Sequence, residues 1–122
     1  MNHVIFSISS NTPDREQKIH EAIEEMKALF PDIKTSAAYT SAAFNGRDPE
    51  YMTVAATADT DLPIDRLTTF TKAMEWQIGR SADDSKIGLI TIDIDIIVYD
   101  GTVIKQRDLA HEPFAEALNS IK

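Results

Sequence analysis

One nine-residue stretch restricts this chain more than any other: Thr91-Ile92-Asp93-Ile94-Asp95-Ile96-Ile97-Val98-Tyr99. Its strict alternation predicts a strand with Ile90, Ile92, Ile94, Ile96 and Val98 on one face and Thr91, Asp93, Asp95, Ile97 and Tyr99 on the other. The first face reads as core, and the second carries two acids. At roughly 3.3 Å per residue the carboxylates stand about 6–7 Å apart, close enough to converge on one or two cations. Without a cation they repel by about 2–3 kcal/mol at an effective dielectric near 20. A strand this rich in isoleucine does not need such a pair to fold, so positive charge is expected opposite it. The alternative is that the acids merely keep a solvent-facing edge from pairing with other chains.

Composition bounds the rest. With 122 residues, 43% hydrophobic and 26% charged, the chain suits one domain, 1–122, with a single core. The net charge is −8, and the 12 basic residues are scattered, which argues against a nucleic-acid footprint. A highly phosphorylated ligand would therefore need local help from arginine or a metal. The absence of cysteine removes disulfides, thiol catalysis and thiolate zinc sites. No apolar run approaches the roughly 20 residues that span a bilayer, and Met1-Asn2-His3-Val4 runs straight into a strand rather than a signal peptide. The expected setting is cytoplasmic, with no membrane partner.

Val4 to Ser9 reads as a buried strand, followed by a helix over Pro13 to Phe30 with Thr12 as cap. Ile33 to Thr40 is a second strand, Ser41 to Glu50 a loop, and Tyr51 to Ala58 a third strand. After Asp59-Thr60-Asp61-Leu62-Pro63, the spacing of Ile64, Leu67, Phe70, Thr71, Met74 and Ile78 predicts a helix that stops at Gly79. Arg80 to Lys86 is a polar connection into the acidic strand. Asp100-Gly101 turns the chain into a short partner strand, Thr102 to Lys105, and Pro113 to Ile121 is a terminal helix. The order β-α-β-β-α-β is the ferredoxin-like α+β pattern, a two-layer sandwich with a small C-terminal hairpin and helix. Both helices then cover the isoleucine face and leave Asp93 and Asp95 on the open one.

Taken singly, most polar residues have plain structural readings. Arg80 after Gly79 suits a helix C-terminus as well as it suits a phosphate. Helical spacing places Glu75 on a solvated surface and Trp76 on a rim or an interface. Tyr51 packs the sheet, Ser10 and Asn11 serve the turn before Pro13, and His111 sits on the surface near a helix start. His3 and His20 show no metal-ligand spacing.

The stretch Gly88 to Tyr99, with Val103-Ile104 after it, resembles the G-P-R-T-L-D-L-D-I-L-L-[FY]…V-I signature of the 6-hydroxymethyl-7,8-dihydropterin pyrophosphokinase family. Three further stretches agree in order. Ser9-Ser10-Asn11 is similar to that family's G-S-N, Asp48-Pro49-Glu50-Tyr51 to its Q-P-D-Y, and Glu75 with Gly79-Arg80 to its E-x-x-x-G-R. The resemblance implies a ferredoxin-like fold and transfer of the β,γ-pyrophosphate of ATP to a dihydropterin hydroxymethyl group. It implies that Asp93, Asp95 and Arg80 are catalytic, with Asp93 and Asp95 holding two Mg²⁺ ions that bridge the ATP phosphates. By the same resemblance Glu75, Arg80, Ile96 and His111 lie on the nucleotide side, and Asn11, Ser41, Tyr51 and Thr53 on the pterin side.

The chain also departs from the pattern. Ile90 and Ala82 stand where the family has arginines, Leu89 replaces a proline, and Thr53 replaces the asparagine that pairs with the pterin edge. The loop Ser81 to Ile87 is acidic where the family's is basic, and the usual C-terminal extension is absent. These differences define the alternative, a catalytically impaired relative that serves as a nucleotide or small-molecule binder or as a homo-oligomeric interaction domain.

Overall fold

Alternating apolar residues make β1 (Asn2–Ser10) the central strand. In the computed structural model, which describes residues 1–43 and 45–121, β1 pairs antiparallel with two neighbours. The remaining strands are β2 (Lys34–Thr35), β3 (Tyr39–Ser41), β4 (Tyr51–Thr60), β5 (Asp93–Tyr99) and β6 (Thr102–Val103). They form a six-stranded antiparallel sheet in the order β2-β4-β1-β5-β6, with β3 also on β4. The helices are α1 (Arg15–Leu29), α2 (Ile64–Ile78), α3 (Ala82–Lys86), α4 (Gln106–Ala110) and α5 (Glu112–Asn119). This is the α+β order that the sequence predicts. Phe44, in the loop expected over Ser41 to Glu50, and Lys122 lie outside the described residues.

Core sits chiefly between the sheet and the first two helices. Val4, Phe6, Ile8, Val54, Ala56, Ile92, Ile94 and Ile96 face Ile19, Ala22 and Met26 of α1 and Leu67 and Ile78 of α2. Several boundaries differ from expectation for local reasons. Thr12 does not cap α1: its carbonyl accepts Arg15 N–H at 3.0 Å in a turn ahead of the helix, its hydroxyl donates to Asp14 Oδ1 at 2.7 Å, and the helix starts at Arg15. The predicted second strand splits where Ser36 turns its hydroxyl to accept Ala55 N–H at 2.9 Å. On α2 the buried stripe runs through Leu67, Thr71, Glu75 and Ile78, leaving Ile64 and Phe70 at 36% and 40% exposure and Trp76 on the outside at 61%.

A bulge in β5 alters the expected alternation. Phe6 pairs with Ile96 and Ile5 with Val98, so Ile97 is the extra residue. Beyond it Tyr99 faces the helix-side core and donates its hydroxyl to Leu62 O at 2.6 Å, while Val98 joins the opposite face. Ile97 O accepts both Ile104 N–H at 2.8 Å and Lys105 N–H at 3.2 Å, which ends β6 at Val103 and curls the chain back over the sheet. The turn before it has φ of 47° at Asp100 and 83° at Gly101, the two-residue hairpin that Asp-Gly favours.

That curl carries α4, which the sequence did not announce, and α5 onto the second face. Phe114 and Leu118 pack there on Ala55 and Ile97, with Ile5, Tyr39 and Leu109 around them. One end of this face is thereby closed, and the end bearing Asp93 and Asp95 stays open. No helix of the described residues is long and apolar enough to cross a membrane.

Candidate active site

Residues two apart along β1, β4 and β5 share the face opposite α1 and α2, and together they floor a cavity of about 580 Å³. Ser7 and Ser9 come from β1, Tyr51 and Thr53 from β4, and Asp93 and Asp95 from β5. Ser41, Asn45 and Asp48 wall one side, and Lys105, Asp108 and His111 border the other beside Phe114. Ser9 Oγ and Thr53 Oγ1 bond at 3.0 Å, making the floor rich in hydroxyls. Burial pushes the Tyr39 hydroxyl up to about 12, against a bond to Thr53 and with the charge of Asp108. Burial, then the Asp93 charge, raises Tyr51 as well.

The outer edge of β5 beside the acids is not paired by β6, which meets only Val98 and Tyr99. Glu75 covers that edge from α2: its Oε2 accepts Ile94 N–H at 2.8 Å. This corrects the surface placement that helical spacing suggested, since Glu75 is only 2% exposed. The buried carboxylate collects two cations, Arg80 Nη1 on Oε1 at 3.0 Å and Lys72 Nζ on Oε2 at 3.1 Å. Arg80 Nη1 also donates to Asp93 Oδ1 at 3.1 Å, and Lys72 Nζ lies 3.9 Å from Oδ1 of both Asp93 and Asp95.

This environment divides the two aspartates. Burial works to raise Asp93, yet its bond with Asp95 and the charges of Lys72 and Arg80 hold it below the ordinary carboxylate range. Burial, the bond to Asp93 and the Asp93 charge push Asp95 up to about 7. The pair therefore holds a proton near neutrality for want of further positive charge.

Of the residues singled out from sequence, Asp93, Asp95, Ser41, Tyr51, Thr53 and His111 line one cavity. Glu75 and Arg80 stand behind the acids at the strand edge. Ile96 packs in the helix-side core. Asn11 bridges to the segment entering β5, donating to Gly88 O at 2.8 Å and accepting Ile90 N–H at 2.6 Å. Arg80 to Lys86, expected as a connection, contains α3, capped by Ser81 Oγ accepting Asp84 N–H at 3.1 Å, and Asp83 points into solvent at 96% exposure. Lys72, Lys105 and Asp108 were missed. For Lys72 the available signal was its spacing three residues before Glu75.

Among the described residues no group of three His, Cys, Asp or Glu side chains is arranged to hold a metal by itself. The donor set nevertheless fits Mg²⁺, which takes one or two carboxylates and completes its shell with phosphate oxygens and water. Three carboxylates against two cations leave the cluster short of positive charge.

A ferredoxin-like α+β domain with paired aspartates on the open face of a strand beside its centre is the class these features define. Sequence comparison sharpens this: the model of the family 7,8-dihydro-6-hydroxymethylpterin-pyrophosphokinase matches residues 5–120, and the chain belongs to that family. It is also similar to the folic acid synthesis protein FOL1 of Dictyostelium discoideum, 32% identical over 109 residues that cover 88% of this chain and 16% of that protein. The chain thus spans about a sixth of that relative's length, 16%.

Proposed function

We propose that the chain transfers the β,γ-pyrophosphate of ATP to the hydroxymethyl group of 6-hydroxymethyl-7,8-dihydropterin, a step of folate biosynthesis in the cytoplasm. Membership of the family supports the reaction class. The observation that carries the reading is the placement of Asp93 and Asp95 side by side on the floor of the cavity, with Arg80 bonded to Asp93. Asp93 and Asp95 would hold Mg²⁺, which when bound supplies charge neutralisation along the triphosphate.

The chain's own residues do the rest. Glu75 fixes Arg80 and the β5 edge, so that the cation and the acid pair keep one geometry. Tyr51 offers an aromatic wall for a planar acceptor, and the hydroxyls of Ser9 and Thr53 supply donors and acceptors at its edge. Held in this way, the acceptor oxygen attacks the β-phosphorus in line, the bond to the α-phosphate oxygen breaks, AMP departs and the hydroxyl proton passes to water.

A second reading keeps nucleotide or small-molecule binding, alone or in a homo-oligomer, without turnover. It is favoured by Arg80 being engaged with Glu75 and Asp93 while Ile90 and Ala82 leave the arginine positions apolar. Calorimetric titration with Mg²⁺ and a nonhydrolysable ATP analogue, followed by an AMP assay with the dihydropterin, decides between them. Metal-dependent binding lost in Asp95→Asn, with AMP formed, supports the enzyme; binding without AMP under saturating substrates supports the second reading.

A further inference from the structure

Lys72 connects both halves of the acid pair although it belongs to α2, on the other side of the sheet. Its Nζ reaches around the edge of β5 beside Glu75 and stands 3.9 Å from Oδ1 of Asp93 and 3.9 Å from Oδ1 of Asp95. The only bond of hydrogen-bonding length in this set is the one to Glu75 Oε2, at 3.1 Å. The side chain is 46% exposed, so its flexible stem can swing from this position without opening the core.

Charge makes this position conditional. A divalent cation on Asp93 and Asp95 and an ammonium group at the same two oxygens repel each other, so arrival of one displaces the other. Arg80 differs from Lys72 in this respect, because it is tied at 3.0 Å to the buried Glu75 as well as at 3.1 Å to Asp93. Displaced by a metal that carries nucleotide, the Lys72 ammonium would have phosphate oxygens as its new partners. It would there provide positive charge that Ile90 and Ala82 cannot.

We infer that Lys72 is a tethered counter-ion: it occupies the acid pair in the ligand-free protein and moves to the nucleotide phosphates when divalent metal takes its place. The inference rests on the proposed nucleotide reading of this cavity. It makes metal and nucleotide bind interdependently, since metal alone must displace Lys72 into water, whereas metal with nucleotide gives the ammonium a new anionic partner.

The test is calorimetric titration of the intact chain and of Lys72→Met with Mn²⁺ alone, and with a nonhydrolysable ATP analogue at saturating Mn²⁺. Lys72→Gln is the second variant should the first not fold. Neutralising Lys72 is expected to tighten Mn²⁺ binding about tenfold in the absence of nucleotide and to weaken analogue binding about tenfold, with Lys72→Arg restoring the latter. Unchanged or weaker Mn²⁺ binding in the neutral variants overturns the inference, as does analogue binding equal to wild type. If wild type binds Mn²⁺ but never the analogue, the nucleotide reading fails and the move to phosphate fails with it. An analogue held equally by wild type and Lys72→Met overturns the inference alone.

Discussion

Glu75 and Ile94 are joined at 2.8 Å by a bond in which a buried carboxylate takes the place of a neighbouring strand. The Ile94 N–H points out of the sheet where β6 does not reach, and Glu75, 2% exposed, satisfies it while holding Lys72 and Arg80. The acid pair and its cations are thus registered by one side chain from α2.

Glu75→Ala removes the acceptor of a buried N–H and leaves Arg80 without its strongest anchor. Unfolding in urea should show a loss of about 3 kcal/mol. Glu75→Gln keeps an oxygen for Ile94 and should lose roughly half as much. Equal stability of wild type and Glu75→Ala would show that the edge is satisfied in another way.

Asn11 makes two side-chain bonds, to Gly88 O and Ile90 N–H, and its own N–H donates to Ile90 O at 3.1 Å. Asn11→Ala should cost about 2 kcal/mol through the two unpaired backbone groups. In the folded variant the affinities for the dihydropterin and for magnesium nucleotide should each stay within about threefold of wild type. A large loss of affinity at unchanged stability, measured by calorimetry and thermal melting, would instead place Asn11 against the ligand.

The two central strands and both long helices could be read from hydrophobic period, because burial on one face imposes it. Asp93 and Asp95 were legible on the same ground. The bulge was not: Ile96, Ile97 and Val98 are apolar in succession, and such a run carries no signal of which residue is extra. Nor was the role of Glu75, since helical spacing gives the angle of a side chain and not the unpaired strand edge it meets. The α4 helix is five residues long without a buried residue, too short for a periodic stripe. Lys105 and Asp108 reach the cavity only because the bulge carbonyl of Ile97 curls the chain, a consequence of the same unreadable residue.

Phe114 closes the covered end of the second face at 2% exposure and also touches the cavity. Phe114→Ala should destabilise the fold by about 3–4 kcal/mol. Phe114 lines the same cavity as Tyr51, so its loss widens the space open to a planar acceptor, and the surviving folded protein should bind the pterin less tightly while Asp93 and Asp95 keep their hold on magnesium nucleotide. Equilibrium denaturation and separate titrations of the two ligands check both parts.

The divided aspartates make stability depend on pH in two windows. Asp95 keeps its proton up to about 7 in the folded chain but only through the ordinary carboxylate range when unfolded. Between those limits the folded state binds more protons, and stability falls as pH rises, by at most about 4 kcal/mol. Asp93, held below the ordinary range, acts in the opposite sense: its contribution is present above that range and lost as pH falls through its folded value. From these two groups the ligand-free protein should therefore be most stable near the ordinary carboxylate range, about pH 4, melt progressively lower as pH rises to about 7, and level off above that. Asp95→Asn should flatten the decline, because no second charge then forms beside Asp93, and should raise the melting temperature at pH 8 above that of wild type. Magnesium with the ATP analogue should restore wild type at pH 8 and leave Asp95→Asn where it was. Thermal melts across pH 4–8, with and without ligand, read all three, and a wild-type profile rising from pH 5 to 8 would refute the shared proton.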